Sequence, residues 1–145
     1  MELMKGKRGV VFGVANDKSI AWGVAQQLHA AGADLSFTYF IYSFAMLFRP
    51  LADSVGSNVI LPCDVGSDQQ IAGVFAELEK VWGSIDFVVH AVAFANREDL
   101  KSPFSQTSRE GFLLAMDVSA YSLVAVTREA VPLMKQGGSI VTMSY

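Results

Sequence analysis

Apolar residues along this chain fall in short runs that alternate with longer amphipathic stretches. That alternation predicts a parallel sheet assembled from strand–helix–strand units. Residues 8–12, Arg-Gly-Val-Val-Phe, read as a first strand leading into a glycine loop. Residues 19–31 read as a helix with Ser19 as N-cap and Gly32 as the stop. Residues 34–39 have the β-branched and aromatic content of a second strand. A helix over 43–55 ends at Gly56, and a third strand over 58–61 runs into Pro62, Cys63, Asp64 and Val65.

In residues 68–82, Ile71, Val74, Phe75 and Leu78 recur at the three-and-four spacing of one buried helix face. Residues 85–90 read as a fourth strand and the polar residues 96–107 as a loop. Residues 110–134 supply one long helix or a broken pair, Gly137 and Gly138 interrupt it, and 139–143 form a fifth strand. Five strands joined by four right-handed crossovers give the α/β class. They make a doubly wound, Rossmann-type parallel sheet in the order 3-2-1-4-5. Residues 1–145 form one domain in this reading. Parallel sheets are covered on both faces, so a chain ending at Tyr145 without a helix to cover its last strand reads as incomplete at its C-terminus.

Composition narrows the function classes. With 52% hydrophobic and 17% charged residues, the chain is not disordered. A net charge of -3 and a pI near 5.2 argue against a nucleic-acid partner. The most apolar window, 35–51, contains Ser36, Thr38, Ser43, Arg49 and Pro50, and reads as strand plus helix rather than a membrane span. The first eight residues lack the apolar stretch of a signal peptide, so the expectation is a cytoplasmic protein. Cys63 is the single cysteine, which excludes an internal disulfide, and it reads as a small buried hydrophobe. His29 and His90 lie far apart without ligand-like neighbours, so no metal site is expected.

The chemistry-bearing segment joins the first strand to the first helix. Gly13 permits a sharp turn, Ala15 limits crowding, and the free N–H groups at the helix start favour a phosphate. Ser19 can cap the helix and offer its hydroxyl, and Gly23 would allow close packing on the sheet. The G-x-G-x-x-G fingerprint is absent, and the same residues would also make a tight turn without a ligand. Asp64 and Val65 follow the third strand, where a carboxylate can accept from an adenine amino group or serve as a turn residue. After the fourth strand, Ala91, Val92, Ala93 and Ala95 are small enough for a flat cofactor to approach. All three segments sit at carboxyl ends of strands, where open α/β sheets bind ligands.

These residues resemble a known family. Gly13-x5-Ser19-Ile20-Ala21-x-Gly23, Cys63-Asp64-Val65, His90 to Ala95 and Met143-Ser144-Tyr145 look like bacterial NADH-dependent enoyl-[acyl-carrier-protein] reductases. Those enzymes form a divergent branch of the short-chain dehydrogenase/reductases. The resemblance extends through Val81-Trp82-Gly83, Arg109-Glu110-Gly111-Phe112 and Ser119-Ala120-Tyr121-Ser122. It implies NADH as cofactor and reduction of the trans-2 double bond of an enoyl thioester carried on acyl-carrier protein. Hydride would pass to C3 and a proton to C2 through an enolate. Gly13, Ala15, Ser19 and Ile20 are then placed at the pyrophosphate, and Asp64 and Val65 at the adenine. Ala91, Val92 and Ala93 are placed at the cofactor, Val92 near the nicotinamide side, and Ala95 beside the acyl substrate. Tyr145 matches the first of two active-site tyrosines, whose O–H can stabilise an enolate oxyanion. Its other reading is a strand-end aromatic over the core. Tyr39 and Tyr42 read as structural, Tyr121 and Ser122 as packing residues. A homotetramer is implied, with neither a nucleic-acid nor a membrane partner.

Two departures stand out. The family continues beyond Tyr145 with a second tyrosine and a lysine, which this chain does not contain. After Tyr39 the family has a glutamine and a polar helix start, whereas this chain runs Phe40-Ile41-Tyr42-Ser43-Phe44-Ala45-Met46-Leu47-Phe48. Phe40 cannot bind the adenosine ribose as an acidic residue does in other NAD domains, though it can stack on adenine. No arginine lies between Gly32 and Phe48 to receive a 2'-phosphate, so NADH is favoured over NADPH. Two alternatives stay open: a short-chain reductase of 3-oxoacyl or other carbonyl substrates, and a non-catalytic dinucleotide-binding module.

Overall fold

The computed structural model describes residues 1–40 and 42–144. Its element order is β1 (Arg8–Phe12), α1 (Ile20–Ala30), β2 (Asp34–Tyr39), α2 (Tyr42–Ser54), β3 (Val59–Pro62), α3 (Asp68–Trp82) and β4 (Phe87–His90). There follow α4 (Arg97–Lys101), α5 (Arg109–Met116), α6 (Ser122–Ala130) and β5 (Ser139–Thr142). The five strands form one sheet in the order β3-β2-β1-β4-β5, every pairing parallel. The sheet order expected from the sequence is the one observed.

Period-two alternation explains how the sheet is buried on both faces. Val10, Phe12 and Val88 point to one side, where Ile71, Val74, Phe75 and Leu78 of α3 and Ala125 and Val126 of α6 cover them. Val11, Leu35, Phe37 and Val89 point to the other side, under Ala21, Trp22 and Ala25 of α1 and Phe48 and Ala52 of α2. The four residues that the periodicity selected in α3 are its buried face. Ser67 caps α3 by accepting from the Gln70 N–H at 3.3 Å, and Gly83 ends it in the left-handed conformation at φ 75°.

From Tyr42 onward the apolar run lies in helix α2. Phe48 turns into the core, where its ring lies 5.0 Å from Phe37 and 6.4 Å from Trp22. Met46 and Leu47 are 79% and 73% exposed. The side chain of Tyr42 lies outside the described residues, so its structural reading is not met here.

The structure refines the local reading at four places. Helix α1 starts at Ile20, and the Ser19 side chain makes no capping bond to it. Gly23 is exposed and a Cβ there would meet nothing within 4 Å, so it does not serve close packing on the sheet. Residues 96–107 are not all loop, because Arg97–Lys101 coils into α4 and Phe104–Gln106 into a 3-10 turn. Glu98 and Asp99 suit the first turn of α4. Of the one long helix or broken pair read over 110–134, the structure has the first, a continuous helical span Arg109–Leu133 whose winding widens to a π-turn at Asp117–Tyr121.

Phe75 is buried against Phe12, ring centroids 6.3 Å apart. Phe75→Ala is expected to lower the unfolding free energy by about 3–5 kcal/mol through the cavity it leaves. Met46→Ser at an exposed site should change it by less than about 0.5 kcal/mol. Urea denaturation of the two variants measures the contrast.

Candidate functional site

Loops leaving the carboxyl ends of β1, β2, β3 and β4 surround a cavity of about 510 Å³. That volume lies within the range of small-molecule and cofactor pockets. Gly13, Val14 and Ala15 line it from the β1 loop, Thr38, Tyr39 and Phe40 from β2, and Cys63 to Gly66 from β3. Val92, Ala93 and Phe94 line it from β4, with Leu114 and Val118 above them from the long helix.

The β1 loop is built so that only glycine fits at its first position. Gly13 has φ +103°, and a Cβ there would collide with the backbone carbonyl of Ala91. The Ala91 N–H in turn donates to the Phe12 carbonyl at 3.1 Å, so the loops after β1 and β4 are stitched together. Ser19 Oγ accepts from the Ala15 N–H at 3.0 Å and from the Asn16 N–H at 3.1 Å. Its hydroxyl proton is not used in those bonds. The helix that follows begins with N–H groups that have no intrahelical partner, next to Ala15 on the cavity wall.

Asp64 is the one acidic or basic residue lining the cavity among the described residues. Its Oδ1 accepts from the Gly66 N–H at 2.8 Å, while its own N–H donates to Gln70 Oε1 at 2.8 Å. The carboxylate is thereby oriented with its second oxygen free to accept. Beside it, burial above all, and then the Asp64 charge, push the Cys63 thiol up to about 12. Cys63 is therefore an inert wall rather than a nucleophile. Phe40, 67% exposed, presents an apolar edge where ribose-reading acids stand in other dinucleotide folds.

His90 ends β4 beneath this wall and is 1% exposed. The Ser122 hydroxyl donates to the Val118 carbonyl at 2.6 Å, so Ser122 Oγ accepts from His90 Nε2–H at 2.7 Å. That sets the neutral tautomer, and Nδ1 accepts from the Thr142 hydroxyl at 2.9 Å. Burial pushes the imidazole below its ordinary value of 6.5, consistent with a neutral ring. The network ties β4 to β5 and to the long helix.

A family model described as enoyl-(acyl carrier protein) reductase matches residues 13–145. The chain belongs to the enoyl-[acyl-carrier-protein] reductase family. The NADH-dependent reductase of Bacillus cereus is 50% identical, with all of this chain matched to 57% of that protein. The Nostoc reductase is 48% identical over 98% of the chain and 56% of its own length. A crystal structure of the Anaplasma phagocytophilum reductase in complex with NAD superposes with a TM-score of 0.96 at 47% identity. That match covers 99% of this chain and 55% of the other. The B. cereus reductase with NADP+ and an indole naphthyridinone also superposes with a TM-score of 0.96, over 100% of this chain and 57% of that one. The chain thus spans a little over half the length of these reductases.

Of the residues singled out in the sequence, Gly13, Ala15, Asp64, Val65, Val92 and Ala93 line one cavity. Ser19 stands behind the loop, Ile20 opens α1 with a 70% exposed side chain, and Ala91 supplies the carbonyl facing Gly13. Ala95 is half-buried but is not among the lining residues, and Tyr145 lies outside the described residues. Tyr39, read as structural, is part of the wall, and Ser122, read as packing, is a hydrogen-bonding centre. Leu114 and Val118 are not legible in the sequence, because helix periodicity does not say which apolar residues face a cavity, and Phe94 of the His90 to Ala95 segment joins them on the wall.

The chemistry present fits the dinucleotide of a reductase in this family: a side-chain-free approach at Gly13, backbone donors beside it, a free carboxylate oxygen and apolar walls. Gly13→Ala is expected to cost about 1–3 kcal/mol of stability from strain at positive φ and the clash with Ala91, read by thermal unfolding. For His90, whose folded value is depressed, the neutral-state contribution is complete above 6.5 and is lost as pH falls below it. The unfolding temperature should drop from about pH 7.5 to about pH 5, and drop less in His90→Gln. An equal drop in both proteins would count against His90 as the cause.

Proposed function

We propose that the protein carrying this chain reduces the trans-2 double bond of an enoyl thioester on acyl-carrier protein with NADH, in fatty acid biosynthesis. The carrying observation is the convergence of the four strand-end loops on one cavity, in a chain of this family. When bound, NADH supplies the hydride. The chain's own residues bind and orient. Gly13 and Ala15 keep the pyrophosphate path open, Ser19 turns its hydroxyl proton to it, and the α1 N–H groups at Ile20 supply donors. Asp64 accepts from the adenine amino group, with Val65 against the ring. Ala91, Val92 and Ala93 flank the nicotinamide, Ala95 borders the acyl chain, and Tyr145 donates its phenol to the developing oxyanion.

In this reading residues 1–145 are the dinucleotide-binding part of a cytoplasmic enzyme. The protein assembles as a homotetramer, for which the exposed Phe112, Leu113, Met116 and Val124 on the long helix offer an apolar face. Phe40 and the lack of a nearby arginine favour NADH over NADPH.

The test is spectrophotometric, on the complete protein with crotonyl-acyl-carrier protein. NADH oxidation is expected, with a lower KM for NADH than for NADPH. Oxidation only with a 3-oxoacyl thioester would instead establish a carbonyl reductase, and cofactor binding without turnover a binding module.

A further inference from the structure

The long helix changes its winding once, at the π-turn Asp117–Tyr121, and the side chains on that turn hold the cavity wall. In a regular α-helix the Ser122 N–H would pair with the Val118 carbonyl. Here it reaches the Asp117 carbonyl, five residues back, and the Val118 carbonyl takes the Ser122 hydroxyl instead. Such turns are rare and often lie at functional sites. On this one Val118 lines the cavity, and Ser122, the residue just after it, holds His90.

Ser119 makes the contact that neither the sheet nor the β1 loop explains. Its Oγ accepts from the Phe94 N–H at 3.0 Å and donates to the Phe94 carbonyl at 3.1 Å. Among the described residues those two backbone groups have no other backbone partner. Phe94 sits in the loop leaving β4 and lines the cavity together with Val92 and Ala93. In open α/β sheets the dinucleotide crosses the switch point beside the first strand. The β2 and β3 loops then face its adenosine half, and the β4 loop faces the other half.

We propose that the π-turn is a clamp on the β4 loop, and that Ser119 is the positioning residue that sets the wall of the nicotinamide half. The inference rests on the NADH-binding reading above. A loop without ladder bonds must be ordered when its ligand binds, and a preformed clamp lowers that entropic cost. The Gly13 loop and Asp64 are not touched by Ser119, so its effect is confined to one end of the cofactor.

The experiment compares NADH with ADP-ribose, which lacks the nicotinamide, by titration calorimetry on the complete protein. Ser119→Ala is expected to weaken NADH about three- to tenfold and to leave ADP-ribose unchanged. Ser119→Thr, which keeps the hydroxyl, should recover NADH affinity. Amide exchange at Phe94 without ligand should speed up in Ser119→Ala. Unchanged NADH affinity, or equal weakening of both ligands, overturns the clamp. Failure of the unsubstituted protein to bind NADH is a separate outcome that overturns the proposed function. In that case unchanged Phe94 exchange still overturns the clamp.

Discussion

The central strand β1 is paired on both edges and packed on both faces, so the place where it ends has little freedom to move. Its last residue, Phe12, is fully buried and accepts from the Ala91 N–H, and the next residue must turn at once beside the Ala91 carbonyl. Only a residue without a Cβ, at positive φ, satisfies both conditions. The remaining loops are referred to this point through the parallel register, which sets β2 and β4 beside β1 and β3 and β5 outside them. The cavity is what the strand ends enclose once that register is made.

Its electrostatics follow from the same frame. With Asp64 as the one acidic or basic lining residue among those described, the wall offers no side-chain cation to an anionic group on the β1 loop. What the loop offers such a group is backbone donors and the helix start, whose partial charge is fixed in direction by the fold. On the far side, a buried imidazole sits in a donor–acceptor chain running from Thr142 through His90 and Ser122 to the Val118 carbonyl. Each member is satisfied, which is the condition under which a buried polar network rigidifies its surroundings.

Much of this was legible in the sequence. The burial of α3 follows from four apolar positions, and the sheet order from alternation and crossover handedness. Gly13, Ala15, Asp64, Val65, Val92 and Ala93 were recognisable because each stands just beyond an apolar strand run. Other features were not legible. Ser19 looks like a cap, yet its oxygen turns back to the Ala15 and Asn16 N–H groups. Gly23 looks like a packing glycine, yet nothing lies over it. Both errors come from reading a residue type locally when a neighbouring loop decides its partners.

By itself the sequence determined the element types, the buried faces and the strand ends that can carry a ligand, because those depend on periodicity and on short-range turn chemistry. It also determined the family, through motifs at four separate strand ends. Only the tertiary structure decided that Phe48 enters the core while Met46 and Leu47 remain outside. It alone decided that Tyr39 walls the cavity, and that a π-turn brings Ser119 and Ser122 to the end of β4. Those outcomes depend on contacts between residues 37 and 48, 94 and 119, or 90 and 122, and no local pattern along the chain encodes the partner at the far end.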